Sequence, residues 1–404
     1  MPDPEKSVPT AEPLPPRRGS FQWDTVSVIL EGTSPFELPS MEVENRAEAY
    51  DFLAHYGLDV QRAEDRQMLH DIHGEAVSFI RRHFLSGREA ARLQIPEAVA
   101  RAQDPADLLV LASETRKGTQ SRWACAALRV MHTIHHANRA FRQESFDEIR
   151  RQIFDPYRNC LHVDELGCPV LAMGDTRVQL EGVFFKEGKS RDSIIMKLLH
   201  KPSNVAQEIY DWIGIQFVTR TRVEALLVVR FLRMNNLVVF ANTVPGRSIN
   251  NLIDLQSFRK TFEDLSKKYR RTDDREQLWL LEHLTHEARD FGKLVATANP
   301  FSGPEYRSIQ FTTRQLIRVP NPAREPLQTI YDFLREHEAA EVHHLMERLE
   351  ALPLERELTF FFPYEIQILD YENYLKTRMG QSSHAAYKKR QMLAARRRVL
   401  QGLL

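Results

Sequence analysis

The chain has 404 residues and a mass of 47.0 kDa, long enough for two domains that each bury a core. With 42% hydrophobic and 27% charged residues it has the composition of an ordinary globular protein, and 55 Lys and Arg balance 55 Asp and Glu. A formal net charge of zero excludes a bulk electrostatic pull towards nucleic acid or an anionic membrane. Three cysteines (Cys125, Cys160, Cys168) are too few for a disulfide framework, and no pair has zinc-knuckle spacing. No apolar stretch approaches the roughly 18 residues of a membrane span. The expected location is cytoplasmic, with no membrane partner.

In chain order, residues 1–20 hold six prolines and little apolar content, so a disordered Pro-rich leader is expected through residue 42. Residues 43–155 read as a helical domain. Ala47, Tyr50, Leu53 and Tyr56 recur at three-residue spacing, and Trp123 to Phe141 is a second strong helical pattern with Ser121 as candidate cap. The character then changes. Arg177–Phe185 reads as a strand, Ser190–Leu199 as a helix, Ile209–Val218 as a strand and Val223–Arg233 as a helix. A short strand is expected at Leu237–Ala241, and a charged, helical insertion at about 256–293. Ser308–Val319 and Leu358–Asp370 read as strands with a helix at Leu327–Leu349 between them, and Ser383–Leu400 as a basic helix. The expected fold class is α+β. An all-helical N-terminal domain precedes a mixed β-sheet domain at 156–390 flanked by helices, and residues 391–404 form a basic helix end.

Chemistry-bearing residues cluster in this second domain. Ser193 and Lys197 are four apart, so they share a helix face, with Lys189 just ahead of it; a loop lysine, a hydroxyl and a helical lysine can cradle phosphates. Taken alone, the same group is more often a solvated helix start. Asp211 opens an apolar run, where it either caps a strand edge or faces a cleft. Glu365 and Gln367 share one strand face while Ile366 and Ile368 turn to the core; an ordinary half-exposed strand has the same pattern. Tyr306 ends a turn rich in Pro and Gly, where an exposed ring can stack on a base and a buried one packs in the core.

These segments together resemble the synthetase domain of RelA/SpoT-type alarmone synthetases, over about residues 175–390 and interrupted by the insertion. The K-x-x-x-S-x-x-x-K pattern of that family is similar to Lys189, Ser193 and Lys197, and its magnesium-binding aspartate resembles Asp211 in EIYDWIGIQFV. Its N-P-x-x-x-x-Y-x-S loop resembles Asn299, Pro300, Tyr306 and Ser308, with one residue more before the tyrosine. Its E-x-Q-I strand resembles Glu365, Gln367 and Ile368, and its closing G-x-x-x-H-x-x-Y-K resembles Gly380, His384, Tyr387 and Lys388.

The resemblance implies a nucleotidyltransferase-like fold and a pyrophosphokinase that moves pyrophosphate from ATP to the 3′-hydroxyl of a guanosine nucleotide. It implies Asp211 and Glu365 as the Mg²⁺-holding and catalytic acids. Lys189, Ser193, Lys197, Tyr306, Gln367 and His384 become substrate-binding. The departures are Glu187, Gln216 and Leu369 where the family has arginine, Gln310 where it has histidine, and Ser302 and Pro304 in the tyrosine loop. Each lost cation removes a charge-assisted phosphate contact, which leaves open a catalytically degenerate nucleotide- or partner-binding protein on the same fold. The basic run Lys388, Lys389, Arg390, Arg396, Arg397 and Arg398 keeps a third reading open, a tRNA-modifying toxin-type relative contacting RNA phosphates; a solvated helix face is the commoner fate of such a run. In the N-terminal region His70, Asp71 and His73, and separately His132, His135 and His136, read as satisfied or surface side chains, and no metal is assigned there.

Overall fold

The computed structural model describes residues 28, 30, 41–86, 92–114, 116, 118–140, 145–200, 211–269, 279–281, 283–284, 306–335, 344–348, 355–379 and 384–404. They divide into two compact units. One comprises the described residues up to His132 together with Arg396–Leu404, the other those of Thr133–His200 and from Asp211 to Ala395. The expected leader lies almost entirely outside the described residues, as do Asn299, Pro300, Ser302, Pro304 and Gly380.

The first unit is built from helices α1 (Arg46–Tyr56), α2 (Ala63–Phe79), α3 (Glu97–Ala100) and α4 (Asp107–Ser113) and the opening turns of α5 (Thr119–Ala140). The Asn45 side chain caps α1 by accepting from the Glu48 N–H, and Gly57 ends it in the left-handed region at φ 99°. His73 is buried and bonded to the Val99 carbonyl at 2.8 Å, and His132 to the Tyr56 hydroxyl at 2.8 Å. Arg122 and Arg129 of α5 donate to the carbonyls of Gly402 and Val399, which fixes the chain's last turn to that helix.

The second unit is a mixed α+β body. Helix α6 (Phe146–Arg158) leads into a three-stranded sheet, β1 (Leu161–Val163), β2 (Pro169–Met173) and β3 (Thr176–Gln179), in that spatial order. A five-stranded sheet follows in the order β4-β5-β8-β7-β6, from β4 (Gly182–Lys186), β5 (Gly214–Thr219), β6 (Ile249–Asn250), β7 (Ile309–Pro320) and β8 (Glu357–Asp370). Strands β5 and β8 run parallel at its centre and the other pairs are antiparallel. Helices α7 (Arg191–His200), α8 (Arg222–Met234), α9 (Leu255–Tyr269), α10 (Arg324–Arg335), α11 (Tyr371–Arg378) and α12 (His384–Val399) complete the unit, with α12 continuing past its boundary.

Three strand expectations are corrected. The strand expected at Arg177–Phe185 is two strands in two sheets. Leu180 N–H still donates to Pro169 on β2, whereas Glu181 N–H already donates to Val218 on β5, so the chain changes partner between adjacent residues. The strand expected from Ile209 starts at Gly214, where pairing with Lys186 and Glu365 begins, and Asp211 stands ahead of it. Leu237–Ala241 forms no strand. The Leu237 carbonyl accepts from the Tyr157 hydroxyl, Val238 N–H donates to Leu232, and a tight turn follows at Phe240–Asn242.

The five-stranded sheet has one apolar and one polar face, because side chains alternate along each strand and cross-strand partners share a side. On the apolar side Phe185 meets Phe154 of α6, Phe217 meets Tyr157, and the Tyr157 and Tyr364 hydroxyls bond at 2.8 Å. Ile366 and Ile368 are fully buried there. The other side carries Phe184 and Lys186 on β4, Gln216 on β5, Glu365 and Gln367 on β8, and Gln310 and Thr312 on β7.

Candidate functional site

The polar face follows from register alone. Phe184, Gln216, Gln367 and Gln310 stand in one row across four strands, and Lys186, Gly214, Glu365 and Thr312 in the next. Gln216 is the one break in an otherwise buried β5, and it interrupts the core on the side where the polar rows lie. Its side chain donates to Gln367 Oε1 at 2.6 Å, and Lys186 Nζ donates to the same oxygen at 3.0 Å. Gln310 donates to Glu365 Oε1. The carboxylate and the amides of these rows are thereby held by one another.

Gly214 is required by close approach. A Cβ there would stand 3.2 Å from the Glu365 carbonyl oxygen and 3.6 Å from Lys186 Cδ. Without it, the stem of Lys186 crosses the central strand and its ammonium reaches β8.

Beside the sheet, Asp211 joins the two sequence-predicted lysines. Lys197 Nζ, on α7, donates to Asp211 Oδ1 at 2.6 Å, and Lys189 Nζ donates to Oδ2. All three side chains are under a third exposed. Burial by itself would raise the Asp211 pKa, but the charges and hydrogen bonds of Lys189 and Lys197 outweigh it and hold the carboxyl below the ordinary carboxylate range. Burial lowers the pKa of Lys197, and the neighbouring Lys189 charge lowers it further.

The two groups form one electrostatic neighbourhood. Protein crowding lowers the pKa of Lys186, with the charges of both Glu365 and Asp211 opposing that shift and Lys189 reinforcing it. Lys197 likewise interacts with both carboxylates. Lys186 nevertheless keeps more than a third of its surface open to solvent. Lys186 is thus crowded by protein along part of its length and accessible along the rest.

Tyr306 borders the same carboxylate. Burial raises its phenol pKa against the effect of a Ser308 hydrogen bond, and the neighbouring Glu365 and Tyr387 raise it further. Asn251, 4% exposed, sets this segment: it donates to the Tyr306 carbonyl at 3.0 Å and accepts from Ser308 N–H at 2.8 Å. Tyr387 on α12 bonds Gln391, which reaches His200 at the end of α7.

Of the predicted site residues, Lys189, Lys197, Asp211, Glu365, Gln367 and Tyr306 converge. Ser193 instead bonds the Ser190 hydroxyl at 2.8 Å, and His384 opens α12 with its side chain outside the described set. Glu187 pairs with Arg150 and Arg158, each at 3.6 Å. Leu369 is fully buried, where a guanidinium would lose its water. Sequence reasoning missed Lys186 and Asn251. Strand alternation through Phe184 and Lys186 is the signal for the first; Asn251 carries none, since its partners are 55 and 57 residues away.

Among the described residues no group of three or more His, Cys, Asp or Glu could hold a metal by itself. Two carboxylates suit a hard divalent cation that brings its remaining oxygen ligands from phosphates and water. Comparison with protein-family models, with curated protein sequences and with solved structures finds no match to this chain.

Proposed function

We propose that the chain is a diverged pyrophosphokinase that transfers pyrophosphate from ATP to the ribose 3′-hydroxyl of a guanosine nucleotide. The supporting observation is that Lys189 and Lys197 both donate to Asp211, while the neighbouring sheet face carries Lys186 bonded to Gln367 and Glu365 bonded to Gln310. Polyphosphate transfer needs cations at the phosphates and a carboxylate near the attacking hydroxyl, and little covalent chemistry from the protein.

In this reading Lys189 and Lys197 leave Asp211 for the donor phosphates. Asp211 and Glu365 would then hold Mg²⁺, which supplies charge neutralisation at the phosphates. Glu365, oriented by Gln310, takes the proton of the 3′-hydroxyl. The 3′-oxygen bonds to the β-phosphorus of ATP as the bond from that phosphorus to the α–β bridging oxygen breaks, and AMP leaves. Tyr306, fixed by Asn251, positions the acceptor base. Incubation with terminally labelled ATP, Mg²⁺ and GDP, GTP or tRNA should give a labelled acceptor, lost in Glu365→Gln. No transfer to any of these acceptors sinks the proposal, and transfer to tRNA alone would move the acceptor to RNA.

A passive nucleotide-binding protein is the second reading. It is favoured by the occupation of both Asp211 oxygens by ammonium groups, which a cation must displace. Calorimetric binding of ATP without turnover, unchanged in Glu365→Gln, would establish it.

A further inference from the structure

Beyond the residues assigned above, we propose that Lys186 is a third phosphate-binding cation of this cleft, gripping the polyphosphate of a nucleoside triphosphate. The inference rests on the transfer reading and deepens it. Lys189 and Lys197 both donate to Asp211, which shares one negative charge between them. Lys186 feels the charges of Glu365 and Asp211 but makes no ion-pair contact with a carboxylate among the described residues, and its one hydrogen-bond acceptor there is the neutral amide of Gln367. An ammonium carries three donors, so two remain for a ligand.

Its placement is built. Gln367 is 6% exposed and its oxygen is shared with Gln216, so the acceptor that orients Lys186 is itself held. Gly214 leaves the space through which the lysine stem crosses β5. The adjacent carboxylate, Glu187, is drawn to Arg150 and Arg158 and makes no ion pair with Lys186. Lys186 also feels the repulsion of Lys189, which an anion between them relieves. Solvent exposure gives a ligand access.

Calorimetric titration of the full chain with inorganic pyrophosphate, and with ATP in the presence of Mg²⁺, tests the assignment. Lys186→Met should weaken pyrophosphate binding about tenfold to a hundredfold, the loss expected for one charge-assisted hydrogen bond. Lys186→Arg should stay within about threefold of the wild type, because charge and donors are kept. Lys186→Gln removes the charge and keeps a polar end, so it should bind as poorly as Lys186→Met, and the melting temperature of each variant reads any structural loss. Should Lys186→Gln bind pyrophosphate as tightly as wild type while Lys189→Met has lost it, Lys186 only pins Gln367, and the transfer reading stands. A wild-type chain that binds neither pyrophosphate nor ATP overturns both.

Discussion

Lys197 Nζ, on a helix, donates to Asp211 Oδ1 at 2.6 Å in the segment ahead of the central strand, with both side chains less than a quarter exposed. Asp211 is thereby a structural acid in the free protein, whatever it does with a ligand. A carboxyl held below its ordinary 3.8 contributes stability that is complete above pH 3.8 and is lost as the pH falls below that value towards the native one. Asp211→Asn should therefore cost about 1–3 kcal/mol at pH 7, where two ammonium groups lose their counter-charge. It should also flatten the fall in melting temperature as the pH drops below about 4, where an unfolded carboxyl is protonated and the native one is not. Parallel melting curves for variant and wild type across that range would exclude the carboxyl as a source of acid lability.

Anion binding should weaken on the alkaline side earlier than an ordinary lysine allows. Crowding lowers the pKa of both Lys186 and Lys197 from 10.5, and only the protonated ammonium attracts phosphate. As pH rises, affinity for pyrophosphate should fall along a limb that lies below pH 10.5. Calorimetry from pH 7 to 11 locates the limb; a midpoint at or above 10.5 would contradict the lowered values.

If the chain transfers pyrophosphate as proposed, Gln310 and Glu365 would form the pair most sensitive for turnover. Gln310 donates to Glu365 Oε1 from the neighbouring strand, and no other described side chain is assigned to steer that oxygen. Gln310→Ala should lower kcat about tenfold with KM little changed, as expected for a group that orients a base without touching substrate. Gln310→His keeps a donor and should recover most of the rate. An unchanged KM and kcat in Gln310→Ala would remove the positioning role.

Free Mg²⁺ should not bind measurably without a polyphosphate. Among the described residues, three ammonium groups (Lys186, Lys189 and Lys197) are set against the two carboxylates of Asp211 and Glu365, a net positive charge. Titration of Mg²⁺ into the protein alone should give no binding heat, and addition of pyrophosphate should restore it. Tight binding of the free ion would mean that the lysines had left Asp211 without an anion to receive them.

Much of the second unit was legible locally. The helices at Arg191–His200 and Arg222–Met234 and the strands at Ile309–Pro320 and Glu357–Asp370 carry their own period of apolar residues, and so does the shared face of Glu365 and Gln367. The change of sheet between Leu180 and Glu181 was not legible, because both residues are extended and only their hydrogen-bond partners differ. The same holds for Leu237–Ala241, whose apolar run suits a strand but whose backbone groups bond Tyr157 and the end of α8. No helix among the described residues is long and apolar enough to cross a membrane, in line with the hydropathy of the chain.

Residue order by itself determined which side chains could stand together on one strand or one helix turn, since that depends only on backbone period. It put Lys197 one turn beyond Ser193 and Gln367 two residues beyond Glu365. The tertiary structure alone decided that Lys189 and Lys197 close on Asp211, that Gln310 holds Glu365, and that Lys186 crosses Gly214 to reach Gln367. Those contacts join segments far apart in the chain, and charge pairing and strand register act across space with no trace in local spacing.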